Sequence, residues 1–276
     1  MILDDRELII VDGIDAAYFL QRLITTDIHK IGEHEMCPGA LLSHQGKILF
    51  DFLIGRDKNV FFIDISRIFA DAMFRKLTFY KLGSNIKISR KELPFILLVL
   101  KNSLFKIDSS ILFFYDKRIF NSNIVRIYNF RDYTKSFLLE RDRWNIIRII
   151  NGIAEIGLDF MSGSVFPHDI NYDQIGGISF TKGCYIGQEV VSRMEHRSII
   201  VRRLLVVRGE KVLPSSNAII EVNNKFVGVL GTVIGHQAIA LVRIDRIKMA
   251  ISVNDPITVK GIKIFFSLPV NVNFTL

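Results

Sequence analysis

From about Ile199 to its end, the chain is a series of short β-type runs cut at close intervals by turn residues. "RRLLVVRGE", "NAIIEVNNKFVGVLGTVIG", "HQAIALVRI" and "ITVKGIKIFF" are broken by Asn223–Asn224, Gly231, Gly235 and Lys260–Gly261. Gly and Asn accept the positive φ that tight turns demand. No run can therefore grow into a long helix, and each must bury its apolar face against the next. The pattern predicts a small all-β domain, a barrel, over residues 199–276.

The preceding part has a different texture. Asp12 to Ile24 places apolar residues at Ile14, Ala17, Leu20 and Ile24, with Asp12 or Asp15 as N-cap, which predicts a short amphipathic helix. Ala40 to Gly55 reads as two strands joined at His44–Gly46, and "NVFFIDIS" as another. Ser66 is placed to cap a helix through Leu82, with Phe69, Met73, Leu77 and Tyr80 on one side. Four short β runs follow ("NIKISRKEL", "FILLVL", "ILFFYD", "NIVRIYN"), then a helix from about Phe137 to Asn151 with Gly152 as its C-cap. This order predicts antiparallel α+β layers with a ferredoxin-like part. No internal repeat, low-complexity tract or flexible linker is visible.

Composition narrows the function classes. Mean hydropathy is high at +0.30, yet the longest apolar run, Pro94 to Leu100, has seven residues, against about 20 for a membrane-spanning helix. Asp4, Asp5 and Glu7 stand where a targeting peptide would be basic. The two cysteines, Cys37 and Cys184, form no disulfide framework and no CxxC pair, so the expected setting is a reducing one, a bacterial cytoplasm. Lysine plus arginine total 36 against 28 acids, a net charge of +8. Part of that surplus clusters at Arg193, His196, Arg197, Arg202 and Arg203. A second basic stretch between Arg126 and Arg148 is diluted by Asp132, Glu140 and Asp142. Each is either a solvated face or a landing site for a polyanion.

Common chemistries are absent. There is no P-loop and no GxGxxG after a strand, and the six histidines form no HExxH. Two distant thiols cannot complete a zinc site or hold an iron–sulfur cluster unaided, so no metal site is expected. What stands out is "TKGCYIGQE", Thr181 to Glu189. It combines a lysine, a thiol, a phenol, an amide and a carboxylate with two glycines. Nearby cations, Lys182 first and Arg193 and Arg197 later, favour the thiolate of Cys184; a small residue filling a turn is the bland alternative. Cys37, beside Pro38, reads as structural.

The run "KGCYIGQE" matches every specified position of the K-G-C-[YF]-x-G-Q-E signature of the YgfZ-type folate-binding proteins, relatives of the glycine cleavage T protein, an aminomethyltransferase. Arg148 to Arg197 resembles that family's central block, with its Arg-x-x-x-Gly opening and Phe-Pro-His stretch. "FLQRLITTDI" and "LLSHQGKILFDFLI" resemble its N-terminal segments. The resemblance implies a T-protein-like folate module over 1–198 in two intertwined parts, 1–46 with 137–198 and 47–136, followed by the barrel of 199–276. It further implies binding of tetrahydrofolate or a one-carbon derivative, in a cavity shared by the N-terminal parts. The implied role is an auxiliary one, without turnover of its own, in maintaining iron–sulfur enzymes, including those that thiolate tRNA. Partners would be iron–sulfur client or assembly proteins.

Carried over by position, the site comprises Lys182, Gly183, Cys184, Tyr185, Gly187, Gln188 and Glu189. Cys184 and Asp51 would be the chemical groups. Gln188 and Glu189 suit the donor–acceptor edge of a pterin, and Tyr185 its flat face. Arg148, Arg193, Arg197 and Arg202 are the other expected ligand-binding residues, the last three suiting an anionic glutamate tail.

The departures bear on mechanism. Where the aminomethyltransferases carry Asp-Asp, this chain has Phe50–Asp51, and where their Arg-Leu-Glu-Ala-Gly helix end supplies a glutamate, Ile150 stands. Ser198 replaces the glycine that follows the His-Arg pair in close relatives. The rival readings are a one-carbon-transfer enzyme built on Asp51 and a tRNA-binding module using the basic cluster.

Overall fold

The computed structural model describes residues 1–91, 96–100, 111–119, 124–128, 140–197 and 200–276, with 96–100 as backbone. Phe137, Asp132 and Ser198, which figured in the readings above, lie outside the described residues. In chain order the elements are β1 (Ile2–Leu3), β2 (Arg6–Asp12), α1 (Ala16–Gln21), β3 (Glu35–Leu42), β4 (Ile48–Asp57), β5 (Val60–Ser66), α2 (Arg67–Tyr80), β6 (Lys87–Lys91), β7 (Ile96–Leu100), β8 (Leu112–Asp116) and β9 (Ile124–Tyr128). They continue with α3 (Arg141–Asn151), α4 (Gln188–His196), β10 (Arg202–Gly209), β11 (Ile219–Val222), β12 (Lys225–Ile234), β13 (Gln237–Arg243), α5 (Ile244–Ser252), β14 (Ile257–Val259) and β15 (Ile262–Ser267). Among the described residues, no helix is long and apolar enough to cross a membrane.

The chain forms two compact units: residues 1–42, 50–141 and 176–186 make the first, and residues 43–49, 142–175 and 187–276 the second. This grouping differs from the expected one, because 43–49, 142–175 and α4 go with the barrel. Contacts within the second unit show why. Asp159 accepts from Thr232 N of β12 at 2.6 Å, and Arg203 of β10 grips Asp173 through two hydrogen bonds.

The first unit is built on a nine-stranded sheet of order β1-β7-β9-β8-β3-β4-β5-β2-β6. The pairing of β3 with β8 is parallel, while β2–β5, β4–β5, β7–β9 and β8–β9 are antiparallel. Helix α2 follows Ser66 as expected and buries Ala70, Met73 and Leu77, packing against β2, β5 and β6. Helix α1 is shorter than the periodicity predicts, six residues instead of the Asp12–Ile24 span. Asp15 does sit at its N-cap position, but its carboxylate accepts from Asn85 N at 2.7 Å, so a tertiary contact takes the place of the cap.

Ionic groups are buried beneath this sheet. Asp64 is wholly buried and accepts from Arg6 Nε (2.6 Å), Arg126 Nη1 (2.8 Å) and Tyr128 Oη (2.8 Å). Arg126 also reaches Asp116, which Arg118 holds from the other side at 2.7 Å. Neighbouring guanidinium groups outweigh desolvation, keeping Asp64 below the usual carboxylate range and Asp116 down at about 2.

The second unit contains the expected barrel, closed in the order β10-β13-β12-β11-β14-β15, with β15 pairing back on β10. Closure removes the unpaired edges that short strands would otherwise expose. Leu205, Val207, Ile220, Leu230, Ala240 and Val259 fill the core, and α5 contributes Ile247 and Ala250. Three of the four turn signals sit where the sequence put them, Asn223–Asn224, Gly235 and Lys260–Gly261 all having the positive φ that tight hairpins require; Gly231 instead lies within β12, beside a shift in its pairing with β13. Helix α3 ends at Gly152, φ +62°, as read from sequence.

Candidate functional site

The signature changes units between Ile186 and Gly187. In the first unit, residues 176–185 have no regular helix or strand, so their placement depends on individual contacts. Ser179 N donates to Thr25 O at 2.9 Å. The Thr25 hydroxyl donates to Gly177 O at 2.6 Å and accepts from Ala40 N at 2.9 Å. Lys30 Nζ reaches Thr181 Oγ1 at 3.2 Å. Lys182 turns inward, its ammonium donating to Ile24 O at 2.8 Å and Thr26 O at 2.7 Å. Burial lowers its pKa to about 8, against the attraction of Asp27.

Tyr185 is buried as well, and its ring centroid lies 5.1 Å from Lys182 Nζ. The phenol oxygen is enclosed and has no hydrogen-bond partner among the described residues; burial pushes its pKa well up. Between these two anchors, Gly183 and Cys184 are exposed, and a Cβ added at Gly183 would meet nothing within 4 Å. The thiol is thus displayed on open backbone, not folded into a turn. Cys37 contrasts with it: β3 half-buries it, and burial together with Glu35 pushes its thiol up to about 12. It lines a cavity of about 290 Å³ with Thr26, Asp27, Lys30, Phe180 and Thr181.

Asp51, the expected carboxylate, is buried in β4. Phe50, beside it, packs edge-on against Phe69 at 6.4 Å.

In the second unit, Gly187 has φ +79° and stands at the N-cap of α4, which begins with Gln188 and Glu189. The hairpin turn between β3 and β4 meets this helix. Gly46 has φ +78°, a conformation that strains a side-chain-bearing residue, and a Cβ there would lie a tight 3.1 Å from Val190 Cβ. Two segments of the resemblance are thereby brought together. Arg193 pairs with exposed Glu189 one turn away, and Arg197 is the exposed C-cap.

The remaining arginines are committed elsewhere. Arg148 is buried, its guanidinium bound to Asp159, Thr232 and Glu155. Arg202 donates to Asp169 at 2.5 Å. Arg203 is buried against Asp173 and the His168 carbonyl. His168 itself, in the Phe-Pro-His stretch, contacts Glu195 of α4 at 3.0 Å. Among the described residues no group of three or more His, Cys, Asp or Glu is placed to hold a metal.

Sequence reading passed over Thr25, Thr26 and Asp159. The polar triplet Thr25–Thr26–Asp27 after an apolar helix was the available signal. Asp159 had none, because its partner Thr232 is brought in from 73 positions away in the chain.

Comparison with known proteins agrees with this architecture. The chain superposes on the aminomethyltransferase T of the glycine cleavage system from Bartonella henselae with a TM-score of 0.67, at 15% identity, covering 88% of this chain and 78% of the other. Residues 202–274 match the family described as the CAF17 C-terminal beta-barrel domain. Sheet, signature and barrel define a protein of the aminomethyltransferase fold carrying a CAF17-type barrel. A tRNA-modifying protein YgfZ from Hamiltonella defensa is 30% identical over 243 residues, 76% of this chain and 70% of that protein. A mitochondrial iron–sulfur cluster assembly factor IBA57 homolog from Chaetomium globosum is 28% identical over 238 residues, 74% of this chain. The chain matches 54% of that fungal relative's length. The chain belongs to the YgfZ/IBA57 family.

Proposed function

We propose that this protein is a tetrahydrofolate-binding auxiliary factor that supports assembly or repair of iron–sulfur enzymes, including tRNA-thiolating ones. The observation that carries the reading is the exposed Cys184 thiol, held between buried Lys182 and Tyr185 in the signature. The names of the relatives, iron–sulfur cluster assembly factor and tRNA-modifying protein, give the direction of the role. A lone thiolate cannot hold a cluster by itself, so Cys184 would act transiently, with a client or assembly protein completing the chemistry.

The residues fit a folate. The enclosed Tyr185 hydroxyl has no partner among the described residues, and a buried hydroxyl costs free energy until something bonds to it. Gln188 and Glu189 open α4 with amide and carboxylate groups suited to a pterin edge. Arg193 and Arg197 lie one to two turns further on, where an anionic tail could meet them. When bound, a reduced folate supplies one-carbon carrier chemistry. The chain's own residues supply binding and the thiol. Arg148 and Arg202 serve this reading by holding the scaffold through Asp159 and Asp169.

Calorimetric titration with tetrahydrofolate tests the first half, and binding weaker than millimolar ends it. Complementation of a deletion strain, scored by thiolated tRNA and iron–sulfur enzyme activity, tests the second. Full rescue by Cys184→Ser would remove the thiol from the reading.

A further inference from the structure

Segment 176–185 carries an exposed thiol, yet no helix or strand holds it. Its placement depends on side chains that reach across to the chain around Thr25. Lys182 makes the innermost of these contacts. An ammonium has three donors. Here two are given to the carbonyls of Ile24 and Thr26, at 2.8 and 2.7 Å, and the Tyr185 ring stands 5.1 Å from the nitrogen. A lysine that recognises a ligand carboxylate or phosphate must present free donors to it. This one spends two of its three on buried backbone.

We infer that Lys182 is a positioning residue: it ties both flanks of the Gly183–Cys184 step to the first unit and so fixes where the thiol is presented. One flank is Lys182 itself, bonded to the Ile24–Thr26 segment. The other is Tyr185, whose buried ring stands 5.1 Å from that ammonium. Thr25 completes the clamp by bonding Gly177 O and Ser179 N. The inference rests on the reading of Cys184 as the working thiol. It departs from that reading's assignment of Lys182 to ligand binding.

The clamp has a pH signature of definite sign. Closed, the lysine has its pKa lowered to about 8 by burial; opened to water, it returns to about 10.4. The closed loop therefore favours the neutral amine, which still has two hydrogens for its two carbonyls. Closure tightens as pH rises from about 8 to about 10. Asp27 favours the charge of the ammonium and the Tyr185 ring stands by it; around the same loop, Lys30 bonds Thr181, and Cys37 lines a cavity with Asp27 and Lys30. Cys37 and Tyr185 titrate above the window, both pushed up by burial.

Hydrogen exchange on the full chain, corrected for intrinsic base catalysis and followed by mass spectrometry from pH 7 to 10, tests this without folate or client. In the parent, amides of residues 180–186 should gain protection above pH 8, while those of the barrel, 202–274, should not. Lys182→Met should speed exchange at 180–186 about tenfold or more, the loss of two hydrogen bonds. Lys182→Arg, charged throughout, should show no rise across the window. A flat parent profile overturns the inference, as does a Met variant that protects 180–186 like the parent. Should the Met variant fail to fold, the parent's own profile decides. Cys184→Ser should behave as the parent here even if complementation shows the thiol to be idle, so the two ideas fail separately.

Discussion

The ammonium of Lys182 and the ring of Tyr185 lie 5.1 Å apart, Nζ to centroid, and both side chains are buried while the two residues between them are exposed. Two inward side chains on either side of an outward thiol is an economical way to display that thiol from an irregular segment. It also separates the two cysteines chemically, because Cys37 lies on a strand where its thiol is pushed up to about 12.

Iodoacetamide at neutral pH should therefore modify Cys184 well before Cys37. At that pH fewer than about one in ten thousand Cys37 groups are thiolate, and the thiolate is the reacting form. Peptide mapping after brief labelling reads the order. Cys37 labelling first would contradict the burial of β3 and the exposure of Cys184 alike.

Asp64→Asn should destabilise the protein by about 3–5 kcal/mol, because it leaves Arg6 and Arg126 facing a neutral amide in a buried network. Urea unfolding followed by tryptophan fluorescence gives the value. The pH dependence carries a sign. Asp64 and Asp116 have folded pKa values below their unfolded ones, Asp116 at about 2. Their stabilisation is thus complete above pH 4 and is lost as pH falls toward 2. Asp64→Asn should flatten the acid limb of the stability curve.

Arg203 and Asp173 should be strongly coupled. The pair is buried, doubly hydrogen-bonded, and joined by the His168 carbonyl. Arg203→Met and Asp173→Asn should each cost about 3 kcal/mol or more, while the double variant should cost less than their sum. A double-mutant cycle in urea measures the coupling, and strict additivity would show the pair to be energetically idle.

Arg193→Ala combined with Arg197→Ala should weaken binding of polyglutamyl tetrahydrofolate several-fold more than that of the monoglutamyl form, since both residues are exposed on α4. The difference should shrink at high salt. Equal effects on both ligands would leave the basic helix a solvated face. A steep salt dependence of binding to unmodified tRNA, lost in the same variant, would assign it to RNA instead.

Alternating apolar runs with Asn-Asn and Lys-Gly turns determined the barrel, because strand period and positive-φ turns are local properties that residue type decides. The helix after Ser66, the Gly152 stop and the thiol-bearing signature were likewise readable, each from a few consecutive residues. The length of α1 was not, since Asp12 is taken into β2 by pairing with Lys87 and Ile24 into a bridge with Leu41, partners distant in sequence. Arg148 was expected to bind ligand and Arg203 to join a basic cluster; folding buried them against Asp159 and Asp173, because an arginine's charge says nothing of whether a carboxylate will be delivered to it. Lys182 shows the same divide within the signature. The sequence determined that a lysine stands two residues before the thiol. Only the tertiary structure, by bringing the Ile24 and Thr26 carbonyls within 3 Å, decided that its ammonium points into the protein.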